Sequence, residues 1–433
     1  MSGDPRPNVL QIICHDLGHH LGCLGAGVET PAIDALAADG VLFDRYLCTA
    51  ASCSPSRGSI MTGLYPHNNG LIGLAHIGWE FRDAVRCLPH YLNDAGYQTH
   101  LFGHQHESAR AERVGYQHLH PGSAKAREAA PAVAAFLRDY SAARDRQPFY
   151  LNAGLFEPHR PYEAEGYRRD DPAKVQLLPW LPDRPGIRED IADLNGLVRA
   201  VDEAVARIAE ALRETGLERD TLLIFTTDHG LAMPRAKGTC YDPGLRTALI
   251  VRQPGRFEGG RRESALLTNC DFTPTLLDYV GAPPVAGLDG RSFLGLLDGT
   301  RYEPRESIFS EMTWHDKYNP MRSIRTTRYK YIRNFGDRPL VYIPLDIYQG
   351  RAGHEMRAEY YGSFRPREEL YDLDADPWEC HNLADDPAPA SLLLDLRSRV
   401  RQWMEETDDL LLRGDVPPTP EQAQRIAEWG EDN

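Results

Sequence analysis

The sequence predicts an α/β protein with a doubly wound, mainly parallel sheet sandwiched by helices. The first observation is the apolar run Val9–Cys14, which is typical of a strand buried on both faces of a parallel sheet. The second is that further apolar strands alternate with helical segments along the chain. The third is that carboxylates and imidazoles follow several of these strands, at the edge where open parallel sheets bind ligands.

The predicted elements follow one another in a regular order. Thr30 and Pro31 predict the start of a helix that Gly40 follows, because Thr is a favourable N-cap and Pro fits the first helical position. The later helices, each with the strand it leads into, are Leu88–Ala95 with Gln98–Phe102, Ala129–Ala143 with Pro148–Leu155, and Asp190–Thr215 with Thr221–Thr227. This alternation predicts parallel strands joined by helices.

After Arg301 the pattern changes to short aromatic strands separated by turns. They are Ser307–Met312, Ser323–Thr327, Lys330–Asn334 and Glu369–Asp372, and a helix at Ser391–Glu406 follows them. This pattern predicts a smaller C-terminal α+β subdomain with an antiparallel sheet. We therefore expect a catalytic domain at residues 1–304 and a C-terminal subdomain at residues 305–433. Within the latter, the loop from Tyr342 to Arg367 is long enough for a lid or a dimer contact.

Composition and charge restrict the class of protein. The chain has 433 residues, of which 42% are hydrophobic and 26% charged, as in soluble globular proteins. Its net charge of -15 argues against a nucleic-acid partner or an anionic membrane surface. No apolar N-terminal segment or membrane-length run is visible, and the 8 cysteines are scattered. We expect a cytoplasmic protein with mostly free thiols, and a homo-oligomer is compatible with the sequence.

The stretch Cys53-Ser54-Pro55-Ser56-Arg57 opens a short helical run. Pro55 suits the first turn of a helix, which places Cys53 at the helix N-terminus. Free N–H groups and the helix dipole favour an anion there, and Arg57 adds a positive charge one turn later. Cys53 is therefore a candidate for attacking a sulfate or phosphate group.

Four strand ends bring carboxylates and imidazoles to the same edge of the predicted sheet. These residues are His15 and Asp16, His104 and His106, Glu157 and His159, and Asp228 and His229. A single Asp or His at a strand end is more often a helix cap or a satisfied polar residue than a ligand. The joint pattern is not expected from core packing, so it favours a metal and anion site.

These residues in this order resemble the type I, formylglycine-dependent sulfatases of the alkaline phosphatase superfamily, and the resemblance covers nearly the whole chain. It is most similar to the heparan N-sulfatase (sulfamidase) group. The segments that carry the resemblance are Cys53–Arg57, Asn8–Leu10 with Asp16–Gly18, Thr30–Ala37, Leu288–Ser292, Pro320–Ser323, Glu369–Asp372, Asp376–Pro377 and Asn382–Ala384. The resemblance implies an alkaline-phosphatase-like fold.

The resemblance also implies a modified nucleophile and a metal. Cys53 would be converted to formylglycine by a formylglycine-generating enzyme, and its hydrate would bind one divalent metal and attack sulfur. His15, Asp16, Asp228 and His229 would complete the metal site. Sulfuryl transfer needs such charge because the nucleophile, the sulfuryl oxygens and the leaving group share negative charge in the transition state.

The remaining catalytic roles follow from the same resemblance. Arg57 would orient the hydrate, and Lys237 would hold the sulfate and the leaving atom. His159 would protonate the leaving atom, a role that suits an imidazole near neutral pH. His106 would assist the release of sulfate and the return of the aldehyde. His104 joins this catalytic set at a position where the family usually has Lys, so rate and pH dependence should differ from the family norm.

The metal ligands also depart from the family pattern. The family usually opens the site with two aspartates and closes it with Asp-Asn, whereas this chain has His15-Asp16 and Asp228-His229. The latter pair resembles phosphonate monoester hydrolases and choline sulfatases. Imidazole ligands shift preference from Ca²⁺, the metal of the family, towards Mn²⁺, Zn²⁺ or Fe²⁺.

Three functions are compatible with these observations. The first is hydrolysis of a sulfate ester or an N-sulfo group on a small molecule or saccharide. The second is a phosphonate monoester or phosphodiester hydrolase with the same nucleophile, suggested by Asp228-His229. The third is a non-catalytic pseudo-sulfatase with a drifted metal site, suggested by His15 and His104. The candidate substrate contacts are Glu157, His315 and Arg322.

Overall fold

The computed structural model describes residues 6–162, 166–257 and 259–429. In this part of the chain the strands form a large sheet, a two-stranded sheet and a four-stranded C-terminal sheet. The strands are β1 (Asn8–Cys14), β2 (Val41–Phe43), β3 (Tyr46–Leu47), β4 (Gln98–Gly103), β5 (His118–His120), β6 (Phe149–Gly154), β7 (Thr221–Thr227), β8 (Leu249–Arg252), β9 (Arg261–Glu263), β10 (Leu267–Thr268), β11 (Ser307–Trp314), β12 (Tyr318–Thr326), β13 (Tyr329–Asn334) and β14 (Glu368–Asp372).

The large sheet is mainly parallel, which confirms the predicted fold class. Its strand order is β5-β4-β6-β1-β7-β8-β2-β9. Only β8 runs against its two neighbours, and every other neighbouring pair is parallel. Ile13 of β1 pairs with Gly154 of β6, and Cys14 pairs with Thr227 of β7. The carboxyl ends of these three central strands therefore lie level, and the residues that follow them share one edge of the sheet.

The described residues form thirteen α-helices, several of which cover the two faces of the large sheet. They are α1 (Pro31–Asp39), α2 (Cys53–Thr62), α3 (Pro66–Asn69), α4 (Leu88–Asp94), α5 (Ala126–Ala142), α6 (Pro185–Glu214), α7 (Asp242–Leu245), α8 (Phe272–Tyr279), α9 (Leu294–Leu297), α10 (Leu345–Tyr348), α11 (Arg351–Tyr361), α12 (Ala390–Glu406) and α13 (Pro420–Trp429). Side chains of β1 alternate between two cores, with Leu10 and Ile12 in one and Val9 and Ile13 in the other. Helices α5 and α6 close the first core, whereas α2, α4 and α8 close the second.

The C-terminal strands form the antiparallel sheet that the sequence predicts. Its order is β11-β12-β13-β14, and each neighbouring pair is antiparallel. Helix α12 packs on it, because Leu396, Val400 and Trp403 belong to the same buried cluster as Ile324 and Tyr331. The boundary between residues 304 and 305 stays a prediction.

One segment that we expected to be a loop is helical. The stretch from Tyr342 to Arg367 contains α10 and α11, and Met356 and Tyr360 of α11 are buried in the first core. Its many Arg, Glu and Tyr residues give a weak apolar periodicity, which hides the helix. The short strands β2, β5, β8 and β9 were missed because three or four residues carry too little pattern.

The state of the cysteines agrees with the scattered pattern in the sequence. None of the eight is paired in a disulfide: Cys380 is exposed, Cys23 is half-buried and the other six are buried.

None of the helices in residues 6–162, 166–257 and 259–429 combines the length and the apolar character needed to cross a membrane.

Candidate active site

The candidate nucleophile Cys53 is the first residue of α2, as the sequence predicts. Ser52 precedes the helix in an extended conformation, and Pro55 lies in the first turn, where its missing N–H costs no hydrogen bond. Gly63 ends the helix with a φ of 70°, in the left-handed region that favours glycine. Every residue of α2 is buried, so the helix N-terminus and Cys53 lie inside the protein.

Five buried side chains converge after β1, after β7 and at the start of α2. They are His15, Asp16, Cys53, Asp228 and His229, and one potential ligand atom of each lies within 4.8 Å of the others. Oδ1 of Asp16 lies 2.8 Å from Nδ1 of His15 and 2.9 Å from Nε2 of His229. Sγ of Cys53 lies 3.3 Å from the same Nε2. The structure therefore brings together the five residues that we predicted as metal ligands.

The donor set of this cluster fits a divalent ion of the first transition row, because two imidazoles join the two carboxylates. Nδ1 of His229 donates to the carbonyl of Gly230 at 2.9 Å, which leaves Nε2 of the neutral ring free to bind a metal. Asp16 has a φ of 54°, and its N–H donates to Oδ1 of Asp228 at 2.9 Å. Such a conformation is uncommon outside glycine and is concentrated at functional sites.

Positive charge dominates the surroundings of Cys53. Burial alone would raise the pKa of its thiol, but the charges of Lys237 and His15 hold that pKa well below its usual value. Burial would likewise raise the pKa of Asp16, yet the same two residues keep it well below the ordinary range. The site is therefore built to hold negative charge.

Arg57 points part of its guanidinium group at this cluster. Its Nε donates to Oδ2 of Asp228 at 3.0 Å. Its two terminal nitrogens are buried and find no hydrogen-bond partner among the described residues. Because a buried donor without a partner costs about 1–3 kcal/mol, these two N–H groups indicate an anion-binding site.

A second group of polar residues lies beside Asp16. Nζ of Lys237 donates to Oδ2 of Asp16 at 2.8 Å and to Oδ2 of Asp346 at 2.9 Å. Nε2 of His159 lies 3.8 Å from Oδ2 of Asp16, and its Nδ1 donates to the carbonyl of Arg160 at 2.6 Å. This tautomer leaves Nε2 of His159 available for proton transfer beside Lys237.

His104 and His106 lie close to His15. The ring centroids of His104 and His106 are 5.0 and 6.0 Å from that of His15. Burial lowers the pKa of His106 to about 4, and burial together with His15 also lowers the pKa of His104. Nε2 of His104 and Nδ1 of His106 are buried without a hydrogen-bond partner in the described part of the chain. Both rings are therefore neutral near pH 7 and can exchange protons with a bound anion.

Two of the three candidate substrate contacts, His315 and Arg322, lie in different surroundings. His315 lies at the site: burial would lower its pKa, but Asp316 and Cys53 raise it to about 9. Arg322 is fully buried, and its guanidinium donates to Asp409 and to backbone carbonyls, so its predicted contact with substrate has no support in these contacts and stays a prediction.

Glu157 serves a structural role in the contacts that the structure shows. One carboxylate oxygen accepts a bond from the N–H of Ala126, the first residue of α5, at 2.8 Å, and the other accepts from the hydroxyl of Tyr167. Glu157 is only 3% exposed. Its predicted contact with substrate has no support in this geometry.

Sequence reasoning missed three residues of the site. Asp346 contacts Lys237, Asp316 accepts a bond from His315, and Nδ1 of His76 lies 2.8 Å from Nε2 of His106. Asp346 belongs to α10, inside the segment that we predicted as a loop. The only signal in the sequence was that this loop is long and polar.

Comparison with known proteins agrees with this geometry. A sequence model of the Sulfatase family matches residues 7–282, and a model named N-sulphoglucosamine sulphohydrolase, C-terminal, matches residues 230–349. An ulvan-active sulfatase of Formosa agariphila is 30% identical, over 94% of this chain and 81% of its own. The N-sulphoglucosamine sulphohydrolase of Homo sapiens is 29% identical, over 94% of this chain and 91% of its own.

A solved structure shows the same fold. A 2-O GAG sulfatase superposes with a TM-score of 0.73 at 21% identity, over 96% of both chains.

The pseudo-sulfatase hypothesis expected a drifted metal site, but the ligand atoms converge around Cys53. Since the Sulfatase model spans more than half of the chain and includes Cys53, Asp228 and His229, the chain belongs to the sulfatase family and is a sulfuric ester hydrolase.

Proposed function

We propose that this chain is a metal-dependent, formylglycine-dependent sulfohydrolase that removes sulfate from a saccharide, with an N-sulfo amino sugar as its substrate. The observation that carries the activity is the buried Cys53 at the start of α2, inside a five-residue cluster of metal-ligand type. The N-sulfo assignment is supported by the match of residues 230–349 to the C-terminal model of N-sulphoglucosamine sulphohydrolase.

His15, Asp16, Asp228 and His229 would hold the metal together with the modified Cys53. A bound divalent ion supplies Lewis acidity and stabilises negative charge on the nucleophile and the sulfuryl oxygens. Two imidazoles among the ligands favour Mn²⁺ or Zn²⁺ over Ca²⁺, which prefers oxygen ligands. Formylglycine at position 53 would supply the hydrated aldehyde oxygen that attacks sulfur.

The other residues of the site have separate catalytic roles. The free terminal N–H groups of Arg57 bind anionic oxygens beside Cys53. Lys237 holds positive charge next to the leaving atom, and His159, when it is protonated at both ring nitrogens, donates the proton on Nε2 to that atom. Neutral His106 accepts the proton that must be removed to release sulfate. Cys53 is 2% exposed, so the site excludes bulk water and strengthens these charge interactions.

The burial of Cys53 also affects its conversion. A formylglycine-generating enzyme must reach the thiol, and every residue of α2 is buried in the folded protein. We propose that the modifying enzyme acts on Cys53 before α2 is covered by the rest of the chain.

Mass spectrometry and parallel assays test the proposed function. The peptide that contains Cys53 should carry formylglycine, and the protein should hydrolyse N-sulfoglucosamine faster than 4-nitrophenyl sulfate or an aryl phosphonate. Cys53→Ala should abolish all activity, whereas Cys380→Ala, which changes an exposed thiol, should keep it. An unmodified thiol in active protein would refute the mechanism. A preference for the phosphonate would support the phosphonate hydrolase instead.

A further inference from the structure

Asp346 joins the catalytic residues to a large cavity. Its Oδ2 accepts a hydrogen bond from Nζ of Lys237 at 2.9 Å. Its Oδ1 is buried and has no hydrogen-bond partner among the described residues. One carboxylate oxygen of Asp346 lies within 4.8 Å of potential ligand atoms of Asp16 and His159. Asp346 therefore stands beside the two groups that would hold and protonate the leaving atom, Lys237 and His159.

The cavity beside Asp346 has the size and polarity of a saccharide site. Its volume is about 760 Å³, within the range of about 300–1,000 Å³ that is common for ligand pockets. Residues that line it include Arg160, Tyr162, Asp190, Asp346, Gln349 and His354. Amide and imidazole groups of this kind, on Gln349 and His354, can bind sugar hydroxyls. Tyr162 is buried, because the guanidinium of Arg160 covers its ring and its hydroxyl donates to the carbonyl of Ala232. A substrate whose sulfate group lies at Cys53 would place its leaving atom near Asp346 and its sugar in this cavity.

The chemistry of the leaving atom decides what a free carboxylate oxygen can recognise at this position. The nitrogen of an N-sulfo group carries a hydrogen and can donate it to a carboxylate, whereas the bridging oxygen of a sulfate ester carries only lone pairs. Hydrolysis of the N-sulfo group breaks the S–N bond and forms an S–O bond with an oxygen from water. One proton goes to nitrogen, and the products are an amine and hydrogen sulfate. Transfer of the remaining acidic proton to the amine then gives ammonium and sulfate, which also favours a carboxylate beside the nitrogen.

We propose that Asp346 is a specificity-determining residue that binds the N–H of the leaving group through Oδ1 and selects N-sulfo sugars over sulfate esters. This inference rests on the proposed sulfohydrolase function. The ion pair with Lys237 fixes Oδ2, so Oδ1 is the oxygen that remains for the substrate.

The first test compares two substrates in Asp346→Asn. The Asn side chain keeps an oxygen for Lys237 but turns an NH₂ group towards the leaving atom. We expect kcat/KM for N-sulfoglucosamine to fall by about tenfold to a hundredfold, the size of a lost hydrogen bond to a charged group. For 4-nitrophenyl sulfate, kcat/KM should change by less than about threefold, because the leaving oxygen of this ester carries no hydrogen to donate to Asp346. Equal losses on both substrates would mean that Asp346 acts only through Lys237 and would overturn the proposal.

The matched control is Glu359→Gln on α11. This carboxylate is exposed and pairs with Arg184, so both values of kcat/KM should stay at the wild-type level. A loss in the control equal to that in Asp346→Asn would show that general loss of negative charge causes the effect, which would also overturn the proposal.

The second test measures binding rather than hydrolysis. Calorimetry with glucosamine and N-acetylglucosamine, at about pH 6.5 where the amine is protonated, should show about tenfold tighter binding of glucosamine to the wild type. Asp346→Asn should remove this difference. If the wild type fails to cleave N-sulfoglucosamine but keeps the difference, the proposed function fails and amine recognition by Asp346 stands. Equal affinity of the wild type for both sugars would refute the role of Asp346.

Discussion

Arg57 donates its Nε to Oδ2 of Asp228 at 3.0 Å and leaves both terminal nitrogens without a partner among the described residues. One residue thus joins the metal cluster to an anion site. Asp228 fixes the orientation of the guanidinium group, and the burial of Arg57 excludes water from the two free N–H groups. This arrangement predicts that Arg57 acts on bound sulfate rather than on the stability of the fold.

Arg57→Lys should lower kcat by about 100- to 1,000-fold, the usual loss when a preorganised donor to a developing anion is removed. Lys keeps a positive charge beside Asp228 but cannot offer two further N–H groups in a planar fork. Steady-state kinetics and the unfolding temperature check this expectation. Arg322→Lys is the matched control: it disrupts a buried pair with Asp409, so it should lower stability and leave kcat of the folded protein unchanged. The reverse result for the two variants would contradict these roles.

Removal of the metal with a chelator should abolish activity, and Mn²⁺ or Zn²⁺ should restore more of it than Ca²⁺. The reason is that His15 and His229 supply imidazole nitrogen to the cluster. His229→Asn replaces one imidazole by an amide and should weaken Mn²⁺ or Zn²⁺ binding by at least about tenfold while shifting preference towards Ca²⁺. Metal content measured by mass spectrometry, together with activity, tests this. His20→Asn should keep the wild-type preference, because His20 bonds Asn195 outside the cluster.

Asp409→Asn should lower the free energy of unfolding at pH 7 by about 1.5–3 kcal/mol, because it removes the charged acceptor of Arg322 while Glu311 stays 3.9 Å from the same guanidinium. Burial would raise the pKa of Asp409, but Arg322 holds it below the ordinary value. A carboxyl whose pKa is lowered by folding stabilises the protein above its unfolded pKa, about 3.9, and loses that contribution as the pH falls through the folded pKa.

Urea unfolding at several pH values measures this effect. The difference between the wild type and Asp409→Asn should be constant at and above about pH 5 and should shrink below about pH 4. A difference that instead grows on acidification would contradict the ion pair between Arg322 and Asp409.

Glu157→Ala should destabilise the protein by about 1–2 kcal/mol and leave KM unchanged. The variant removes the acceptor for the N–H of Ala126 at the start of α5 and for the hydroxyl of Tyr167. Chemical denaturation and steady-state kinetics measure the two effects. Glu128→Ala is the control: it removes a carboxylate from the first turn of α5 but leaves the bonds of Glu157 in place. A large rise in KM without a loss of stability would restore the predicted contact between Glu157 and substrate.

Much of the fold could be predicted because its elements have strong local signals. β1 and β7 are continuous apolar runs, and α6 is a long amphipathic helix that begins at Pro185 and ends before Gly216. α10 and α11 lack such signals, since their polar faces mix Arg, Glu and Tyr and they bury few residues. Contacts with α6 and with the core stabilise them, and those contacts cannot be read from a local pattern.

Some residues of the candidate site could also be predicted from the sequence, and others could not. Residues directly after strands, such as Asp16 and Asp228, could be predicted because parallel strands end at one edge of the sheet. The place of Arg322 on β12 is compatible with either a buried ion pair or a surface contact. Only the position of Asp409, distant in sequence, decided between them.

By itself, the sequence determined the class of the fold, the position of Cys53 at a helix N-terminus and the chemical types of its neighbours, because local patterns and strand ends carry that information. The tertiary structure alone decided that Asp346 reaches Lys237, that His315 reaches the surroundings of Cys53 and that Arg322 pairs with Asp409. These facts depend on distances of a few ångströms between segments far apart in the chain, and no spacing within the sequence encodes such distances.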